Sequence, residues 1–113
     1  WFSIPGNFKK YIDRVYMDKI FFIGSDRYGQ GMFTDKKYMF SLTWNAPEAA
    51  FGNEQSFFEG RDFDQAIDHL HKMNQYIGMC RLPTYSIHNV MKETNMAHYK
   101  TKLHDHYREV FGK

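Results

Sequence analysis

The sequence predicts an α/β fold with a parallel sheet, and three observations carry that expectation. Two short runs, residues 38–43 and 79–87, are apolar enough and brief enough to be strands. A segment of helical period lies between them, and strand, helix, strand in that spacing implies a right-handed crossover between parallel strands. Amphipathic helices stand before the first run and after the second, and their apolar faces need a sheet to cover.

Taken in order, the first element is a helix over residues 5–18. Phe8, Tyr11, Ile12, Val15 and Tyr16 fall on one face, and Pro5 suits the first turn, where a missing N–H costs little. Residues 24–37 hold Gly24, Gly29 and Gly31 among polar residues and read as a long loop. The strand at 38–43 ends at Trp44-Asn45-Ala46-Pro47, because asparagine favours turns and proline lacks a ladder donor. Residues 48–61 form an aromatic-containing loop with Gly52 and Gly60. A second helix starts at the N-cap candidate Asp62, carries Phe63, Ala66, Ile67, Leu70, Met73 and Ile77 inward, and stops at Gly78. The second strand is interrupted by Pro83, which points to a sheet edge. A last helix covers residues 95–111, with Met96, Tyr99, Leu103, Tyr107 and Val110 on its inner face. Two strands do not make a stable open sheet. The pattern therefore asks for further strands, and a first residue of Trp1 agrees with a chain that is part of a longer protein.

At 113 residues the chain fits one compact domain, and its charge balance narrows the function classes. The net charge is +2, and the 15 basic residues are scattered rather than gathered in a stripe, which argues against nucleic-acid binding. The single cysteine, Cys80, excludes an intrachain disulfide, and no spacing resembles a zinc site. A reducing, cytoplasmic setting follows as the default. No apolar run approaches the roughly 18 residues of a membrane span. Aromatic residues make up 19% of the chain, more than a small core needs, so some rings are expected at a planar-ligand site or a subunit contact.

Three segments together resemble a known family. Trp1-Phe2-Ser3-Ile4-Pro5, running into Lys9-Lys10-Tyr11-Ile12-Asp13, resembles the loop and helix after the third strand of flavodoxin-like NAD(P)H:quinone oxidoreductases. Lys36-Lys37-Tyr38-Met39-Phe40-Ser41-Leu42-Thr43-Trp44-Asn45-Ala46-Pro47 resembles the fourth strand and its flavin-contacting loop, and Gly78-Met79-Cys80-Arg81-Leu82-Pro83-Thr84-Tyr85 the fifth strand. The resemblance spans nearly the whole chain, is strongest to the bacterial modulator of drug activity B group, and has Thr-Trp-Asn-Ala-Pro as its most specific motif. It implies a flavodoxin-like three-layer α/β sandwich with a parallel sheet, of which residues 1–113 are the C-terminal portion. The N-terminal strands and the phosphate-holding loop after the first strand would precede Trp1.

The resemblance also implies a function: two-electron hydride transfer from NADPH or NADH, through N5 of a flavin, to a quinone. The family's flavin is FAD, with FMN the other candidate, and a homodimer is implied. Carried over residue by residue, Trp1 and Phe2 would lie at the N5 side of the ring, and Thr43, Trp44, Asn45 and Ala46 at its pyrimidine edge. Phe51 and Phe57 would face the substrate. Mammalian-type members place a tyrosine and a histidine in that last stretch, so a Tyr/His mechanism is not expected here. General chemistry agrees on the place, since open α/β sheets bind ligands beyond the carboxyl ends of their strands. Read without the family, each has a bland alternative: Trp1 and Phe2 as core residues, and Trp44 to Pro47 as a simple turn.

The remaining candidates read blandly. His69 and His71, like His104 and His106, are two apart and cannot chelate from one helix face. All six histidines are therefore expected at the solvated surface rather than on a metal, with His88, after the second strand, either a surface loop residue or a substrate-side contact. Cys80 is expected as an inert thiol in a buried strand. Glu48 and Glu54 could form an acid/base pair, but loop carboxylates are usually solvated and hydride transfer does not require one. Two alternatives to the enzyme stand: an electron carrier of the flavodoxin type, which the sequence pI near 8.6 disfavours, and a non-catalytic fragment that binds a partner through its aromatic surface.

Overall fold

In a computed structural model of the chain, residues 2–17, 20–21 and 31–112 are described. Trp1 and residues 24–30 of the expected long loop lie outside them. The chain divides into two compact units, one of Trp1–Tyr38 with Asp64–Arg81 and one of Met39–Phe63 with Leu82–Lys113.

The first unit starts with α1, Gly6–Val15. Pro5 stands at the N-cap, and its carbonyl accepts from the N–H groups of Phe8 and Lys9. The expected inner face is only partly used: Ile12 is buried, but Phe8 and Tyr11 remain exposed and stack on each other at 6.3 Å. The 3.6-residue period marked an apolar face correctly, yet that face is wider than the surface it meets. Strand β1, Lys37–Tyr38, pairs in parallel with β3, Cys80–Arg81.

The expected second helix is two helices. α2 covers Phe63–Ala66 and α3 covers Asp68–Tyr76, with a break at Ile67, whose φ of −116° and ψ of 24° leave the helical region. Ile67 is buried nonetheless, so the break turns its side chain into the core with Leu70 and Ile77. α3 stops as expected at Gly78, which has a φ of +97°. Gly78 and Gly31 pack backbone to backbone. A Cβ on Gly31 would lie 2.0 Å from the carbonyl carbon of Ile77, so no larger residue fits there.

The second unit holds β2, Ser41–Thr43, paired in parallel with β4, Tyr85–Ile87. Both expected strands are therefore present in two pieces, with the parallel sense the sequence implied. Tyr38 pairs with Arg81 but Ser41 with Tyr85, so two residues separate the ladders on one strand and three on the other. The additional residue falls in Leu82-Pro83-Thr84, where Pro83 has no N–H for a ladder. Between β2 and α2 the chain makes a 3-10 turn, Glu48–Ala50, and a series of turns.

Helix α4, Met96–Phe111, begins at Asn95, whose side chain accepts from the His98 N–H, and ends at a left-handed Gly112. Its inner face is rotated from the expected one. Tyr99 is buried and Lys102, Leu103, His106 and Val110 are half-buried, whereas Met96 and Tyr107 are exposed. The Tyr85 hydroxyl donates to the Tyr99 carbonyl at 2.8 Å and fixes this rotation, and the His106 ring lies 5.6 Å from Tyr85 with Nε2 3.1 Å from the Pro83 carbonyl. Among the described residues no helix is long and apolar enough to cross a membrane.

Candidate functional site

In the second unit the carboxyl end of β2 leads into a loop, residues 43–46, held by the segment that follows β4. The Trp44 N–H donates to the Ile87 carbonyl at 2.9 Å, and the Val90 N–H returns a bond to the Trp44 carbonyl at 3.2 Å. The Asn89 N–H reaches the Ala46 carbonyl at 3.4 Å, and the Met91 N–H donates to Oδ1 of Asn45 at 3.3 Å. This leaves the backbone N–H groups of Asn45 and Ala46 without a protein acceptor among the described residues. Thr43 and Asn45 are exposed and Ala46 is half-buried, so these donors lie at a surface.

Trp44 points the other way. It is buried, with its ring 5.0 Å from Phe51 and 6.1 Å from Phe58 in edge-on contacts. Phe51 in turn stacks on Phe58 at 4.2 Å. The cluster anchors the loop: an indole buried on aromatic neighbours fixes the backbone on both sides of it. Phe57 touches Phe58 edge-on and is 78% exposed.

Of the residues singled out in the sequence, the structure brings together Thr43, Trp44, Asn45, Ala46, Phe51 and Phe57. Phe2 belongs to the first unit, where it is exposed with a left-handed φ of 51°. Trp1 lies outside the described residues.

Three expectations are corrected. His88 is not a solvated loop residue: it is 9% exposed, with Nε2 2.9 Å from Ser86 Oγ and its ring 5.4 Å from Phe51 and 6.1 Å from Phe63. His71 is also no surface histidine, being 1% exposed between the Tyr38 hydroxyl at 2.8 Å and Asp64 at 2.9 Å. Cys80 is exposed rather than buried, because its short strand carries exposed positions on both faces. Helical and strand periods assign faces only when the element is long, and neither His88 nor Cys80 sits in a long one.

Electrostatics distinguish His88 further. Burial pushes its pKa down, Glu48 opposes that shift and Lys102 adds to it, while the Ala46 backbone favours the proton. The ring is therefore neutral at neutral pH. Beside it opens a polar cavity of about 640 Å³ whose walls include Glu48, Lys92, Glu93, His98 and Lys102. Lys102 and Glu48 approach to 3.5 Å, so the cavity carries both signs of charge rather than a field for one ion. Among the described residues no cluster of three or more histidine, cysteine or acidic side chains could hold a metal ion.

The profile of the flavodoxin-like fold family matches residues 1–110. The chain belongs to that family. It is 37% identical over 123 aligned residues to the NADPH:quinone oxidoreductase MdaB of Haemophilus influenzae, an alignment covering 99% of this chain and 64% of that protein. It is 34% identical over 128 aligned residues to an uncharacterized protein of Schizosaccharomyces pombe, covering 99% of this chain and 63% of that one. The chain thus spans less than two thirds of the length of these curated relatives. Among solved structures, a thermophilic tryptophan halogenase (Th-Hal) from Streptomycin violaceusniger superimposes with a TM-score of 0.74 at 18% identity, over 98% of this chain and 60% of that one. At that identity the likeness speaks for the fold alone.

The residues present fit one edge of a flavin. Such a ring needs backbone donors aimed at its polar rim and apolar surface beside it. The free N–H groups of Asn45 and Ala46 meet the first requirement, and the Phe51, Phe57 and Phe58 group meets the second.

Proposed function

We propose that this chain forms the ring-binding and substrate-facing part of a flavin-dependent NAD(P)H:quinone oxidoreductase. One observation carries the reading: residues 43–46 present two unused backbone donors at the carboxyl end of a parallel strand, beside an aromatic cluster. The similarity to a quinone oxidoreductase supports it. A bound flavin, FAD in preference to FMN, would supply the hydride-transfer chemistry.

The chain's own residues have separable tasks. Asn45 and Ala46 donate through their N–H groups to the acceptor edge of the ring, and the Asn45 amide nitrogen adds a third donor, since its oxygen is held by Met91. Thr43 borders the same edge from the end of β2. Trp44 holds the loop from inside. Phe51 and Phe57 line the approach for the nicotinamide of NADPH or NADH and then for a flat quinone. Trp1 and Phe2 are proposed at the N5 side. Donors for the flavin phosphates belong to an N-terminal part of the same domain, at a helix N-terminus. A homodimer is proposed from the exposed aromatic and methionine side chains.

The test is anaerobic: purified protein is reconstituted with FAD, and NADPH consumption is followed with and without a soluble benzoquinone. One NADPH consumed per quinone reduced supports the enzyme. Bound FAD that NADPH does not reduce would instead identify an electron carrier.

A further inference from the structure

The segment after β4 does more than continue the chain, since three of its N–H groups, together with the Ile87 carbonyl at the end of β4, bond to the loop that carries the free donors. It begins at His88. Its carbonyl accepts from the Tyr99 hydroxyl at 3.1 Å, which ties it to α4. Its Nε2 meets Ser86 Oγ, and Nδ1 is buried with no hydrogen bond of normal length, beside the Ala46 backbone. Its ring presses on Phe51, the residue that also touches Trp44. Asn89, next along, takes a left-handed φ of 54°, which turns its N–H toward Ala46. The imidazole thus touches the ring that anchors the loop and the Ala46 backbone, and is itself held by Ser86 and Phe63.

We propose that His88 is a positioning residue for the flavin: its ring holds residues 43–46 in the conformation that keeps the Asn45 and Ala46 N–H groups outward and free. The proposal rests on the flavin reading above. A neutral imidazole fits this pocket of rings, and a second proton would place a charge against Phe51 and Phe63. The charged groups around it come from three elements: Glu48 from the 3-10 turn, Lys102 and His98 from α4, and Lys92 and Glu93 from the segment between. Glu48 is the one that favours the charged ring, and it is exposed and shared with Lys102. Protonation of His88 should therefore loosen the loop and weaken ring binding before the protein unfolds.

The experiment measures FAD affinity by fluorescence quenching across the pH range in which imidazoles titrate, in the full protein and in His88→Phe and His88→Gln. It also follows amide exchange of Asn89, Val90 and Met91 without flavin. In the parent protein, affinity is expected to fall about tenfold for each pH unit below the pKa of His88. His88→Gln keeps a partner for Ser86 and should bind FAD nearly as well at neutral pH, with the pH dependence gone. His88→Phe should bind more weakly and exchange those amides faster. FAD affinity with the same pH slope in both variants, or unchanged amide exchange in His88→Phe, overturns the role of His88 alone. Absence of FAD binding by the parent protein at every pH would instead overturn the flavin reading and the proposal with it.

Discussion

Each unit of the chain buries one histidine, and the two are held in different ways. In the first, His71 has both ring nitrogens in hydrogen bonds of normal length, to Tyr38 and to Asp64, whose carboxylate also lies 3.9 Å from Arg81. In the second, His88 has one nitrogen on Ser86 and the other buried without such a bond. A polar group with both partners in place fixes a core; one that is half-satisfied is costly. The first arrangement joins β1, α2 and α3 into a unit. The second stands behind the loop proposed to touch the flavin. The contrast separates a structural histidine from a site histidine better than burial alone.

The comparison can be broken most forcefully at His71. His71→Ala removes a ring from a fully packed position and strands two partners, and should cost about 3 kcal/mol in urea denaturation. A loss below about 1 kcal/mol would mean that the network is not structural. Replacing each histidine by phenylalanine sharpens the contrast. His71→Phe keeps the volume but loses two bonds, for an expected cost of about 2 kcal/mol, whereas His88→Phe also relieves a buried nitrogen and should cost less than about 1 kcal/mol. Equal costs would erase the distinction.

A pH scan gives a smaller effect with a definite sign. His88 has a folded pKa below its unfolded value near 6.5, so the unfolded chain takes up the proton first as the pH falls. Stability is complete above that unfolded value and declines as the pH drops through the folded one. Thermal melts should show a decline assignable to His88 that His88→Phe lacks. The smallest effect belongs to the surface charges. Lys102→Met should raise the His88 pKa and Glu48→Gln lower it, seen in ring-proton chemical shifts, with stability changes within about 0.5 kcal/mol.

Much of this molecule was legible in its residues. The strand–helix–strand order, the parallel sense, the stop at Gly78 and the last helix near residues 95–111 all follow from local patterns, and the structure carries them. The Thr-Trp-Asn-Ala-Pro motif located the loop. What residues could not reveal was which groups were left over. That Asn45 and Ala46 keep free N–H groups depends on where Asn89, Val90 and Met91 point theirs, more than forty positions along the chain. The burial of His88 depends on Phe51 and Phe63 arriving from another stretch, and no spacing announces that. The face of α4 was misplaced for a related reason: Tyr85 selects Tyr99 by a hydrogen bond, and the half-buried side then includes Lys102 and His106 while Met96 and Tyr107 stay exposed. The signal that could have found His88 is its place immediately after a strand whose neighbour leads into the motif loop.

Whether a flavin ring meets residues 43–46 can be read from amide hydrogen exchange at Asn45 and Ala46, with and without FAD. Among the described residues neither N–H group has a protein acceptor, and both should exchange rapidly in the flavin-free protein. On addition of FAD both should become protected, while the already bonded Trp44 N–H changes little. Bound FAD with Asn45 and Ala46 still exchanging at the flavin-free rate would show that the ring does not meet this loop, and would contradict the account.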